Sequence, residues 1–184
     1  MPNIYILTGP SGVGKTTIAR ELLKRVPTLK KVVTCTTRPI RPQETDGIDY
    51  HFLSNDEMKH LIDSGEAFEW ANVYGRFYAS RTTDVHQILE TGNDVLFVID
   101  VQGATTIRQN HPEAVTIFID AESNEDLLVR LESRDHGNTV NRTERLAAIE
   151  QERAFGAKCD HRVVNPTGKL TETIDTIDKI IQNR

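Results

Sequence analysis

Gly9-Pro10-Ser11-Gly12-Val13-Gly14-Lys15-Thr16 is the stretch whose reading decides the fold. Before it runs Ile4-Tyr5-Ile6-Leu7-Thr8, β-branched and aromatic without a polar break, which predicts a strand covered on both faces. After it, Ile18, Leu22 and Val26 recur at helical spacing until Pro27 stops the run. The glycines therefore stand where a strand hands over to a helix, the context a P-loop requires. Gly9, Gly12 and Gly14 let the main chain curl so that successive N–H groups converge. The positive end of the following helix adds to this anion cradle. Lys15 reaches the outer phosphates as a point charge. The Thr16 hydroxyl completes a Mg²⁺ shell otherwise made of water and phosphate oxygens. Chance yields such a pattern in roughly one chain of this size in a hundred, and the strand and helix around it lower that figure. The stretch predicts nucleotide phosphate binding. It says neither which nucleotide nor whether a phosphate moves.

Outward from the loop, 184 residues suffice for one compact core with small inserted lobes. Hydrophobic content of 38% and charged content of 27% are ordinary for a soluble globular protein. A formal charge of −5 argues against a nucleic-acid groove. Cys35 and Cys159 have no CxxC partner and read as reduced thiols of a cytoplasmic protein. The six histidines show no HxxxH or HExxH spacing, so no zinc site is expected. No signal peptide and no transmembrane span is expected either.

Taken in order, Lys30 to Thr37 reads as one strand ending in the turn Arg38-Pro39-Ile40-Arg41, and Glu44 to Asp49 as polar loop. Tyr50 to Leu53 reads as a short strand. Ser54-Asn55-Asp56-Glu57 is a capping-box signature, followed by Met58, Leu61 and Ile62 on one helical face, with Gly65 as the stop. Phe68 to Ala79 reads as a hairpin turning near Tyr74-Gly75-Arg76. A short helix carries Val85, Ile88 and Leu89, Val95 to Ile99 is an unbroken apolar strand ending at Asp100, and Gly103 to Asn110 is helical. Val115 to Ile119 is a third buried strand, and Ser123 caps a helix bearing Leu127, Leu128 and Leu131. A polar loop at 135–140, a helix from Arg142 to Phe155, a strand at His161 to Asn165 and an amphipathic helix from Leu170 complete the chain. Apolar strands alternating with helices predict a parallel sheet covered on both faces. Residues 34–80 break that rhythm and read as an inserted lobe.

The stretches GPSGVGKTT, TTRPIRPQETDGIDYHF, FEWANVYGRFYASR, DVLFVIDVQGA and RLESR…RTERL…E spread over nearly the whole chain, and together they resemble the guanylate kinases. The resemblance implies an α/β, three-layer P-loop NTPase fold in one domain over 1–184. Its core would be 1–33, 81–124 and 146–184, its GMP-binding lobe 34–80 and its lid 125–145. It implies Mg²⁺-dependent transfer of the γ-phosphoryl group of ATP to GMP, with dGMP as a second acceptor, in purine nucleotide metabolism. It implies small-molecule partners only, no nucleic acid or membrane, and a monomer or homodimer.

Residue by residue, the resemblance implies an ATP site at Gly9, Pro10, Ser11, Gly12, Val13, Gly14, Lys15, Thr16 and Thr17, with Arg130, Arg134 and Asn165. Arg38 and Arg41 look like the pair that grips the GMP phosphate, and guanidinium supplies fork donors that suit a dianion. Tyr50 and Tyr78 resemble the tyrosines that add hydroxyl donors, or they pack the lobe as aromatics. Glu69 resembles the guanine-reading carboxylate. Guanine shows two adjacent donors, N1–H and the N2 amine, and one ionised carboxylate accepts both. Adenine has an acceptor at N1, so it would leave the carboxylate unpaired. Thr34 and Ser80 match hydroxyls that hold guanine O6. Asp100, at the end of a buried strand, matches an aspartate close to both GMP and, through water, Mg²⁺. The catalytic set is then Lys15, Arg38, Arg134 and Arg145, with Arg145 also near GMP. Arg142 carries no role over and reads as a surface charge.

Asp135 stands where the family has glycine, Cys159-Asp160-His161 where a tyrosine is common, and Pro166 where an acid is frequent. These departures concern the lid and the donor base. Two other readings stay open. One is a kinase-like interaction module, which would not require the intact phosphate cradle. The other is a P-loop kinase with a different acceptor, for which Glu69 is the discriminating residue.

Overall fold

β1 (Ile4–Thr8) is buried at every position because its side chains alternate between two layers of helix. Tyr5 and Leu7 join Ile18, Leu22, Ile174 and Ile177 in one apolar cluster. Ile4 and Ile6 join Val85, Phe97, Ala104 and Ile107 in the other. The structure is a computed structural model that describes residues 2–73, 75–134 and 142–183, with only the backbone of residues 133, 134 and 142. Among them no helix is long and apolar enough to cross a membrane.

The chain continues through α1 (Lys15–Arg25), β2 (Leu29–Lys31), β3 (Cys35–Thr36), β4 (His51–Phe52) and α2 (Asn55–Asp63). Next come β5 (Ala67–Val73), β6 (Arg76–Arg81), α3 (Thr82–Glu90), β7 (Asp94–Val98), α4 (Val101–Asn110) and β8 (Val115–Asp120). It closes with α5 (Asn124–Arg134), α6 (Arg142–Gly156), β9 (His161–Val164) and α7 (Leu170–Gln182). One sheet has the order β2-β7-β1-β8-β9 with every neighbouring pair parallel. Helices on both faces make this the three-layer α/β arrangement that the apolar strands predict. A second sheet, β4-β3-β6-β5, pairs β3 with β4 in parallel and the other neighbours antiparallel.

Two expectations need correction. Lys30 to Thr37 is not one strand. Residues 29–31 pair with β7 in the first sheet, and Cys35 and Thr36 pair with β4 and β6 in the second. The ladder changes partner across this stretch, and the groups on either side of the change stay bonded. The Val32 N–H still donates to the Leu96 carbonyl, and the Thr34 carbonyl already accepts from the His51 N–H. The second correction is at α4, which starts at Val101 instead of Gly103. Asp100 caps it, accepting from the Gly103 N–H at 3.1 Å. The capping box at Ser54 and Glu57 forms in both directions, and Ser123 caps α5 through the Asp126 N–H.

Candidate functional site

The glycine loop lies at the C-terminal end of β1 and runs into α1, where parallel sheets place their ligand sites. Two of its glycines are forced. Gly9 has φ +141° and presses on β8, so a Cβ there would lie 2.0 Å from the Ile119 carbonyl oxygen. Gly14 caps α1 with φ +102°, and a Cβ there would meet the Asn165 amide nitrogen at 2.9 Å. Lys15 Nζ donates to the carbonyl oxygens of Gly9 and, at 3.1 Å, Pro10, which keeps the ammonium over the loop. Thr16 is exposed in the first turn of α1.

The second sheet gathers the other candidates. Glu69 on β5 faces Ser80 on β6, and the Ser80 hydroxyl donates to Glu69 Oε1 at 2.7 Å. Glu69 is only 2% exposed. Burial pushes its carboxyl up to about 7, the Asp100 carboxylate adds to the rise, and the Ser80 hydrogen bonds oppose it. Thr34 is buried just before β3. Arg38 lies 5.3 Å from the centre of the Tyr50 ring and 5.8 Å from that of Phe52. Tyr50 and Tyr78 meet edge to face at 6.2 Å. Tyr50 and Tyr78 thus both pack the lobe and flank the arginine. Burial raises the Tyr50 phenol above its usual range, so it stays a donor. Arg41 is exposed on the turn beside them.

Between the two clusters stands Asp100. Burial raises its carboxyl, against the N–H groups of Gly103 and Gln102 and the charge of Lys15. Glu152 on α6 is raised in the same way, by burial first, with Lys15 opposing and Asp100 reinforcing. Lys15, Asp100 and Glu152 therefore share one electrostatic neighbourhood. Among the described residues, no group of three His, Cys, Asp or Glu side chains could hold a metal.

On the loop's other flank, a cavity of about 220 Å³ is lined by Gly14, Thr17, Arg130, Asn165, Pro166 and Thr167. Arg130 donates to the Asn165 carbonyl at 3.1 Å and to the Thr167 hydroxyl at 2.9 Å. The Asn165 amide donates to the Val13 carbonyl at 2.8 Å and accepts from the Thr173 hydroxyl at 3.0 Å. Both residues brace the glycine loop, and a contact from Asn165 to a base would use its second amide hydrogen. Arg145 lies in the first turn of α6. The side chain of Arg134 and the whole of 135–141, including Asp135, lie outside the described residues.

Several contributors escape a reading of the sequence. Glu44 lies in a stretch that reads as polar loop, yet it accepts from Arg38 Nη2 at 2.7 and 2.9 Å and from the Arg41 N–H at 2.9 Å. Burial alone would raise its carboxyl, but these bonds and the two arginine charges hold it below the usual range. A carboxylate three residues beyond Arg41 was the available signal. Asp120, fully buried, takes two bonds from Arg153 Nε at 3.0 and 3.1 Å and pairs with Arg162. It thereby ties α6 and β9 to the end of β8. Glu152 offered no local signal, because only the packing of α6 brings it towards Lys15.

A family model described as guanylate kinase matches residues 1–184. A guanylate kinase of Gloeobacter violaceus is 40% identical over 183 residues, covering 98% of this chain and 87% of that protein. One of Symbiobacterium thermophilum is 39% identical over 170 residues, 90% of this chain and 81% of that protein. The crystal structure of guanylate kinase from Anaplasma phagocytophilum aligns with 99% of this chain and 85% of its own, with a TM-score of 0.82 and 31% identity.

Proposed function

The chain belongs to the guanylate kinase family and is a nucleoside monophosphate kinase, and from that premise we propose how its own residues divide the work. ATP is the donor and GMP the acceptor. The main-chain N–H groups of residues 9–16, Pro10 excepted, hold the donor phosphates, Lys15 lies on the outer ones, and Arg130 and Asn165 keep the loop in shape. Arg38, Arg41, Tyr50 and Tyr78 hold the acceptor phosphate. Glu69, with Ser80 and Thr34, reads the guanine. The observation that carries the acceptor assignment is Glu69 itself, a buried carboxylate with one oxygen on Ser80 and, among the described residues, no ion pair to a basic side chain. A carboxylate so placed is completed by a ligand with two adjacent N–H donors.

An oxygen of the GMP phosphate then attacks the γ-phosphorus of ATP. A new P–O bond forms, the bond to the ADP oxygen breaks, and no enzyme intermediate is needed. Lys15, Arg134 and Arg145 spread the charge that develops, which is most of what phosphoryl transfer asks of a protein. The exposed Thr16 hydroxyl, with Asp100 and Glu152 near Lys15, fits Mg²⁺ that keeps its waters and binds chiefly through phosphate, and among the described residues no group of three ligands would cage a metal. Such an ion would neutralise phosphate charge. We divide the chain as core 1–33, 81–124 and 146–184, acceptor lobe 34–80 and lid 125–145. Two free thiols, Cys35 and Cys159, suit a cytoplasmic setting.

The test is ADP release by the purified protein with ATP, Mg²⁺ and each of GMP, dGMP, AMP, UMP and CMP. Turnover with GMP and dGMP alone is expected. Equal turnover with AMP would overturn the role of Glu69.

A further inference from the structure

We propose that Gly103 positions the Glu69 carboxylate for guanine, through the side chain it lacks. The proposal rests on the reading of Glu69 as the guanine-binding group.

Gly103 is the third residue of α4, in helical backbone that any residue adopts. Alanine would suit that backbone better, because glycine gives up more chain entropy on entering a helix. The explanation for glycine here is spatial. A Cβ at 103 would lie 2.4 Å from Glu69 Oε2, 3.2 Å from Glu69 Cδ and 3.2 Å from Ile99 Cδ1. The first distance is far inside van der Waals contact, so something must move.

Neither side can move without loss. Glu69 is buried, its register is set by the pair with Ser80, and its other oxygen accepts from the Ser80 hydroxyl at 2.7 Å. The helix is tied to the same strand by the next side chain, since Gln102 Nε2 donates to the Asn72 carbonyl at 3.1 Å. The Gly103 N–H also holds Asp100 Oδ1 at 3.1 Å. One residue thus serves both carboxylates of the site: its amide fixes Asp100, and its missing side chain admits Glu69. A methyl group at 103 would turn the Glu69 carboxylate out of the plane in which both oxygens meet N1–H and the N2 amine. The phosphate grip at Arg38 and the ATP loop lie on other elements and would be untouched.

The test is a double-mutant cycle on the full chain with Gly103→Ala, Glu69→Ala and the pair, reading KM for GMP, KM for ATP, kcat and Tm. Gly103→Ala alone is expected to raise the GMP KM by about ten- to a hundredfold, as contacting residues couple. The ATP KM should stay put and Tm should fall. In the Glu69→Ala background, Gly103→Ala should cost no further kcat/KM and should lower Tm less than it does in the parent, because the methyl no longer meets an oxygen and only Ile99 Cδ1 at 3.2 Å stays close. A purely structural glycine would lower Tm equally in both backgrounds and leave KM unsplit, and that result overturns the proposal. So does an equal loss of kcat/KM in both backgrounds, with the reading of Glu69 intact. If Glu69→Ala itself keeps full preference for GMP over AMP, the reading of Glu69 falls and the proposal with it.

Discussion

At residues 9–16 the groups on offer are main-chain N–H donors, from every position of the run except Pro10. In the second sheet they are side chains drawn from positions 34 to 80, with the N-terminal turn of α4 laid against them. The difference has a chemical meaning. Amides all present the same donor, so they can hold any chain of phosphates but cannot tell one base from another. Reading a base takes a carboxylate beside a hydroxyl at defined spacing, and the spacing must come from strands and a helix packed together. On the assignment we propose, donor binding is a property of a local sequence, and acceptor choice a property of packing.

The comparison breaks most visibly at Lys15, which we propose lies on the outer phosphates of the donor. Lys15→Ala is expected to lower kcat by about 10³-fold, the scale of losing a preorganised charge in the transition state. Tm should move little, since the ammonium is only partly buried and bonds its own loop. Steady-state assays beside a melting curve check both halves.

Glu69→Ala sharpens the contrast from the other side. It should cost about 10²-fold or more in kcat/KM for GMP, because two guanine donors lose their acceptor. The KM for ATP should hold. An equal loss for both nucleotides would mean the two regions are not separable.

A pH profile tests the same residue without removing it. The Glu69 carboxyl titrates at about 7, and only its ionised form accepts from two N–H donors. Asp100, the cap of α4, is its acidic neighbour, and the Cys35 thiol on β3, pushed up to about 11, stays neutral throughout. From pH 8 to pH 6 the KM for GMP should rise about tenfold through this group, and Glu69→Gln should level that component. The sign for stability is opposite to that of a paired carboxylate. The folded pKa is raised, so ionisation costs stability above about 7, and the cost fades as pH falls from 7 towards the unfolded value.

Glu44 and Asn165 give smaller effects and place one brace in each region. Glu44→Ala should raise the KM for GMP by about tenfold, worth a hydrogen bond or two, because Arg38 loses its bidentate partner. Glu44→Gln should recover part of this. Asn165→Ala leaves the Val13 carbonyl short of a donor and should lower stability by about 1–3 kcal/mol, with a change of a few fold in the KM for ATP. Denaturant melts and initial rates measure these.

Local patterns were legible wherever one segment satisfies itself. The buried run of β1, the Ser54–Glu57 capping box and the β5–β6 hairpin all follow from neighbours in sequence. Val33 was not legible as the point where the chain leaves one sheet for another. Residues 30–37 have strand character throughout, and only the partners differ. The start of α4 was misjudged because an aspartate reads equally well as the end of a strand and as a helix cap.

By itself the sequence determined a P-loop between strand and helix, a parallel α/β core and the identity of the basic and acidic residues available. Tertiary structure alone decided that Glu44 holds Arg38, that Glu152 nears Lys15, and that Gly103 meets Glu69. The reason is range. A capping box or a glycine loop closes within a few residues, whereas Glu69 and Gly103 are 34 positions apart on different elements, and the close approach that leaves no room for a Cβ at 103 exists only once β5 has packed against α4.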